Sequence, residues 1–183
     1  MSIFSRWQRC NTVSSLFRSR LAKEFDDRTA RFHTSVVEDL RMFNEDIDGT
    51  MAHDIMLHEQ GIMEEEPLKK ILGALQEIKD EWNNGELEIG AEYEDIHEFI
   101  EARVIEKIGM EAGGAMHTGR SRNDQVMVDM KMVTKKEMLA IAENVLNLVK
   151  IMCELADKHT ETPMVYYTHG QPATVGTFGH YLL

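Results

Sequence analysis

His117-Thr-Gly-Arg-Ser-Arg-Asn-Asp-Gln125 gathers the chemistry of an anion binder into nine consecutive residues. The run holds two arginines, a histidine, two hydroxyl side chains and two amides, with Asp124 its only acid. A guanidinium presents a planar donor fork that fits a carboxylate, and hydroxyls and amides complete the hydrogen bonding. The Gly113-Gly114 pair just before it is expected to let the backbone approach a ligand closely. Asn123 or Asp124 is placed to cap the helical pattern that follows, so an anion would sit near a positive helix N-terminus.

Thr168-His169-x-Gln171 is a second candidate. An imidazole titrates near ~6.5 and can move a proton either way at neutral pH, and the flanking hydroxyl and amide can fix its tautomer or bind a carboxylate. Asp95-Ile-His97 opens a helical pattern and reads equally as a pair of site residues or as helix-start charge with a surface histidine. Ser35 stands where a helix cap is the default. His53 and His58 are five apart and lack a third ligand, so no metal site is expected. No phosphate-binding glycine loop, no Gly-x-Ser-x-Gly elbow and no Cys–His pairing is present.

Long helices have to position these residues. Leu40, Phe43, Ile47, Met51 and Ile55 recur at helical steps, with Gly61 as a C-cap. Glu64-Glu-Glu-Pro67 opens a second helix whose apolar face is Leu68, Ile71, Leu72, Leu75, Ile78 and Trp82, and Asn83-Asn-Gly85 ends it. A third carries Ile96, Phe99, Ile100, Val104 and Ile108 up to Gly109. From about Asn123 to Lys158 there is neither Gly nor Pro, and two apolar stripes run along the segment. Double stripes imply burial against more than one neighbour, as in a bundle. Such a helix would be on the order of 50 Å long, which argues for an oligomer, a missing remainder, or both. Another helix is expected from Thr174 or Val175, and no strand alternation stands out. The pattern stops at Tyr181-Leu-Leu183 without a cap, as if cut.

Composition sets the outer bounds. The chain has 183 residues, with 20 basic against 32 acidic side chains and a net charge of −12. That field disfavours nonspecific nucleic-acid or anionic-membrane binding and leaves room for a small anion where arginines gather. No apolar run approaches a membrane span. Cys10 and Cys153 make no metal or redox spacing, and reduced thiols in a cytoplasmic protein are expected. Residues 1–20 carry Arg6, Arg9, Arg18 and Arg20 and no acid. They have the composition of a transit peptide, and equally of a disordered arm or a mis-assigned start.

The run from His117 to Val126 resembles the signature of the argininosuccinate lyase and delta-crystallin family, within the aspartase/fumarase superfamily. Glu94-Asp-Ile-His97 resembles the motif on that family's preceding helix. Ser35, Asp39, Asp46, Gly49 and Ala52 resemble its first helical region, Arg20-Leu21 the end of its N-terminal arm, and Thr168-His-x-Gln171 the second superfamily signature. The resemblance implies an all-α fold: an atypical arm over 1–20, a helical lyase domain over 21–117, and over 118–183 the truncated opening of a long-helix bundle. It implies a homotetramer whose active sites take residues from three subunits. The implied reaction is reversible β-elimination of argininosuccinate to arginine and fumarate, with neither metal nor organic cofactor, in arginine biosynthesis. By similarity Ser35, Ser121, Arg122, Asn123, Thr168 and Gln171 hold substrate, His97 lies beside it, and His169 transfers a proton.

Two departures from the family pattern stand out. Pro172-Ala-Thr174 is closer to adenylosuccinate lyase. The family's mobile loop, Gly-Ser-Ser-x-Met-Pro-x-Lys-x-Asn with its catalytic serine, has no counterpart in these residues. This chain alone is therefore expected to be inactive, and a non-catalytic structural or interaction role is the alternative.

Overall fold

The computed structural model describes residues 27–90 and 93–183. The Arg- and Ser-rich arm, Arg20, Leu21 and Cys10 lie outside the described residues. The chain divides into two compact units, Met1–Val133 and Thr134–Leu183.

In the first unit the described elements are α1 (Asp27–His33), α2 (Val36–Asp39), a 3-10 turn (Leu40–Met42), α3 (Phe43–Glu59), α4 (Glu65–Asn83), α5 (Ile96–Ile108) and α6 (Met110–Gly113). The apolar stripes of α3, α4 and α5 meet in one core that includes Phe43, Ile47, Ile71, Leu75, Ile78, Ile100 and Val104. Each such side chain contributes roughly 1.5–3 kcal/mol on full burial. Phe43 stacks on Trp82 with ring centroids 4.4 Å apart, joining the start of α3 to the end of α4. Ile55, expected on the core face, instead points to solvent and is 41% exposed.

The helix ends follow local chemistry. Glu65 and Glu66 lie in the first turn of α4, where acids complement the helix dipole and the missing N–H of Pro67 costs little. Gly61 and Gly85 have φ of 70° and 72° just past α3 and α4, and Gly109 has 84° after α5. L side chains avoid that region, so these glycines stop the helices where the sequence predicts. Lys107 on α5 reaches Glu77 and Glu81 on α4 at 3.0 and 2.7 Å.

Helix α7 runs from Arg122 to Lys158 over 37 residues. Within the second unit its Met138, Leu139, Ile141, Val145, Leu146, Leu148, Val149 and Ile151 are all exposed. The helix ends into β1 (Pro163–Thr168), β2 (Gln171–Thr177) and α8 (Phe178–Leu182).

The hairpin corrects the expectation of a helix from Thr174 or Val175. Val165, Tyr166, Tyr167 and Thr168 are β-branched or aromatic and favour a pleated strand. His169 and Gly170 both take positive φ, 50° and 73°, the two-residue primed turn whose twist matches that of the strands. Pro172 is tolerated because a two-stranded ribbon consists of edges, and the register slips between Tyr166 and Tyr167. A Cβ on Gly176 would come within 2.6 Å of the Tyr166 ring, so glycine is needed there. The Tyr166 hydroxyl donates to the Thr177 carbonyl at 2.8 Å. Helix α8 then starts at Phe178, with the Thr177 hydroxyl accepting from the His180 N–H. The fold remains all-α in class, with this ribbon the only sheet among the described residues.

Candidate carboxylate-binding site

The two halves of the arginine-rich run do different things. Its first half turns into the protein. His117 Nδ1 lies 2.9 Å from Glu101 Oε2, the Thr118 hydroxyl donates to the Ala115 carbonyl, and Gly119 makes the turn at φ 68°. Arg120 points inward, donating from Nη1 to the Thr50 hydroxyl at 2.9 Å. Gly113 and Gly114 have a packing reason to be glycine. A Cβ on Gly113 would lie 3.0 Å from the Ile105 Cα, and one on Gly114 would lie 2.7 Å from the Met110 carbonyl oxygen. Close packing against α5 and α6 explains both.

The second half begins α7. Ser121 is the cap, in place of the expected Asn123 or Asp124. Its hydroxyl accepts from the Asn123 N–H at 3.3 Å, while Asp124 Oδ1 accepts from the Ser121 N–H at 2.9 Å. This reciprocal capping box exposes Ser121 and Asn123 at a helix N-terminus. Arg122, half-buried, is held on two edges: Nε is 3.1 Å from Asp95 Oδ2, and Nη1 donates to Gln125 Oε1 at 2.9 Å.

Asp95 is itself fixed, since its side chain caps α5 by accepting from the Glu98 N–H at 2.6 Å. Ser35 connects to the same segment. Its N–H donates to the Glu94 carbonyl at 2.8 Å, and its hydroxyl donates to Asp39 Oδ2 at 2.6 Å. Ser35 thus occupies the N-cap position of α2 without capping it. Contacts therefore run from Ser35 through Glu94 and Asp95 to Arg122, gathering three stretches that are far apart in sequence.

Behind Arg122 lies a charged interior. Asp46, Asp54, His97, Gln125 and Asp129 are each 2% exposed or less. His97 Nδ1 is 3.0 Å from Asp46 Oδ1 and 3.8 Å from Asp129 Oδ2, and Gln125 Nε2 donates to Asp46 Oδ1 at 2.5 Å. Burial alone would raise Asp46. The bond and charge of His97, followed by Gln125 and Arg120, outweigh it and hold Asp46 low. His97 is raised in turn because Asp46 outweighs its desolvation. Asp46 and His97 are thus a buried ion pair, and His97 serves that pair rather than lying open at the surface.

Asp129 shifts in the opposite direction. Burial, reinforced by the Asp46 charge, pushes it up to about 7. Asp54 has no hydrogen-bond partner for either oxygen among the described residues, and burial pushes it up to about 8. Arg120 is the cation that moderates all three carboxyls. Gly49 makes room for it, since a Cβ there would sit 3.3 Å from Asp129 Oδ1 and 3.6 Å from Arg120 Nη2. One donor atom each from Asp46, His97 and Asp129 fall within 4.8 Å of one another, a set whose atom types suit a divalent cation. Here the negative charge is already met by His97 and Arg120, and an added cation would face both.

Thr168, His169 and Gln171 belong to the second unit. Thr168 pairs with Gln171 across the hairpin, and His169 is exposed at its tip.

A lyase family model matches residues 19–183. The chain belongs to this lyase family, within the fumarase/aspartase superfamily. The lyase chain is 42% identical over 171 residues to the argininosuccinate lyase of Methanocaldococcus jannaschii, covering 93% of its own length and 35% of that protein. With the argininosuccinate lyase of Carboxydothermus hydrogenoformans it shares 44% over 168 residues, covering 92% of itself and 37% of that protein. It spans about a third of the length of the curated relatives it matches. Among solved structures it resembles an EDDS lyase variant with bound fumarate, at TM-score 0.66 and 32% identity, over 78% of this chain and 27% of that one. A fumarate lyase from Mesorhizobium sp. BNC1, at TM-score 0.57 and 20% identity over 88% of this chain and 37% of that one, shares the fold. No helix among the lyase chain's described residues is long and apolar enough to cross a membrane.

Sequence reasoning singled out Arg122, Ser121, Asn123 and His97, and it assigned no role to Asp54 or Asp129 behind them. A signal was available in α3, where Asp46, Thr50 and Asp54 recur every fourth residue and so share one helix face. Arg120 gives Thr50 its partner, and Gln125 and His97 give Asp46 its own.

Proposed function

We propose that this chain supplies part of an argininosuccinate lyase, which cleaves argininosuccinate reversibly to arginine and fumarate in arginine biosynthesis. The observation that carries it is Arg122 held on two edges at the capped N-terminus of α7, beside the exposed Ser121 and Asn123. A guanidinium, a hydroxyl and an amide at a helix N-terminus make a carboxylate site that needs no metal. The curated relatives share this chemistry by name.

In the proposed reaction a base removes a proton next to a carboxylate, negative charge builds on that group, and the C–N bond breaks to release arginine. Fixed donors stabilise the developing charge. Ser35, Ser121, Arg122, Asn123, Thr168 and Gln171 hold the substrate, drawn from different copies of the chain. His97 backs the site, and His169 transfers a proton. Residues 21–117 act as the N-terminal lyase domain and 118–183 as the opening of the central bundle. The exposed apolar faces of α7 associate between copies, toward a cytoplasmic homotetramer. No organic cofactor takes part.

A substrate panel tests the assignment. The chain is mixed with a family fragment bearing the serine loop and offered argininosuccinate and adenylosuccinate separately. Arginine and fumarate are expected from the first, with the second inert. Turnover of adenylosuccinate alone would overturn the substrate, and the adenylosuccinate-like Pro172-Ala-Thr174 would then be its sequence correlate.

A further inference from the structure

We propose that Gln125 is a positioning residue that sets the orientation of Arg122 by coupling it to the buried Asp46–His97 ion pair. The proposal rests on the reading of Arg122 as a carboxylate binder. Its geometric basis is separate from that reading.

Gln125 is 2% exposed, and both ends of its amide are used. Nε2 donates to Asp46 Oδ1 at 2.5 Å, and Oε1 accepts from Arg122 Nη1 at 2.9 Å. A carboxylate can only accept and a guanidinium can only donate, so one amide orientation satisfies both neighbours and the flipped one satisfies neither. The side chain is therefore locked. Arg122 Nε meanwhile pairs with Asp95, whose other oxygen caps α5, and His97 two residues later pairs with Asp46. The contacts close a ring through α3, α5 and α7: Asp46, Gln125, Arg122, Asp95, the first turn of α5, and His97. A guanidinium held at both Nε and Nη1 cannot rotate about its side-chain axis without breaking the ring. Leucine at 125 would fill the space and leave Asp46 without its amide donor and Arg122 without its second anchor. A carboxyl at 125 would accept from Arg122 in either protonation state but could donate to Asp46 only when protonated.

The charged groups around position 125 are Asp46 and Asp54 from α3, Asp95 and His97 at the start of α5, Arg120 before α7, and Arg122 and Asp129 on it. Because Asp129 titrates in this cluster, the wild type is followed over the same pH range as the variants.

The test is the ¹⁵N spectrum of the Arg122 guanidinium in the full chain, assigned through Arg122→Lys. In the wild type Nη1 is expected to give its own slowly exchanging signal. In Gln125→Leu its exchange rises about tenfold, the loss of one charged hydrogen bond, and the Nη signals average. In Gln125→Glu the carboxyl can still accept from Arg122 whether or not it is ionised, so a distinct Nη1 signal is expected to remain wherever the chain is folded. Ile78→Val, a plain core change, leaves Arg122 unmoved. A sharp, protected Nη1 signal in Gln125→Leu would overturn the proposal, as would averaged Nη signals in folded Gln125→Glu. The complemented enzyme separates the two ideas. Gln125→Leu is expected to raise KM about tenfold with kcat little changed. Averaged Nη signals with unchanged KM would leave Gln125 as the positioning residue and refute Arg122 as the carboxylate binder.

Discussion

Asp46 and Gln125 stand 79 residues apart in the chain and 2.5 Å apart in space. That one contact ties α3 to the first turns of α7. Arg120 neutralises buried carboxyls, and Arg122 is presented at a helix N-terminus by what Arg120 and His97 hold together.

Removing one partner of the buried pair should be costly. His97→Ala leaves Asp46 charged, desolvated and short of its cation, and breaking such a pair typically costs about 3–5 kcal/mol. Urea unfolding is expected to show a loss in that range. A loss below about 1 kcal/mol would mean that Asp46 and His97 are not an ion pair.

Asp54 gives the interior a pH signature. Burial pushes its pKa up to about 8 from an ordinary value of 3.8, so between those values the folded chain holds a proton that the unfolded chain has released. Stability tied to this group is therefore full below about 4 and lost as pH rises toward 8. Asp54→Asn is expected to flatten the stability curve between pH 5 and 7 by about 1.4 kcal/mol per pH unit relative to the wild type. Parallel curves would show that Asp54 is ionised in the folded state.

Gly113 should resist even alanine. The added Cβ would sit 3.0 Å from the Ile105 backbone, which cannot yield without moving α5. Gly113→Ala is expected to lower stability by about 1–3 kcal/mol. Calorimetry showing no loss would restore the simpler view of the glycine pair as a ligand cradle.

His169 offers a way to separate chemistry from folding. Its φ of 50° is a left-handed conformation that glycine adopts without steric cost. His169→Gly is expected to keep or raise hairpin stability, by up to about 1 kcal/mol, and to abolish fumarate release in the complemented enzyme. Retained turnover would remove His169 from the proton-transfer role.

The exposed face of α7 predicts association. Leu139 and Leu146 are 63% and 69% exposed, and a contiguous apolar face of this kind rarely stays uncovered in solution. Sedimentation of the wild type is expected to show an oligomer, with Leu139→Lys/Leu146→Lys shifted toward monomer. A monomeric wild type would contradict the assembly.

Sequence alone made the helices legible because each carries its own instructions: apolar residues at helical steps, acids in the first turn, glycine past the last. Ser121, Arg122 and Asn123 could be found by type. Asp46, Gln125 and Asp129 could not be assigned, because their roles come from partners on other helices and no local pattern names the partner. The hairpin was hidden for another reason. His169 is unusual at a primed turn position where Asn or Asp is the familiar sign, and Pro172 argued against a strand. The packing role of the glycine pair was not legible because a close approach to Ile105 and one to a ligand look alike until the helices are in place.

Fumarate release from argininosuccinate is the most direct measurement, made on this chain alone and then mixed with a C-terminal family fragment that carries the serine loop. Release in the mixture, and none from either component, is the predicted result. Release by this chain alone would contradict the dependence on the serine, and silence in the mixture while a control pair from an active relative turns over would contradict the lyase site itself.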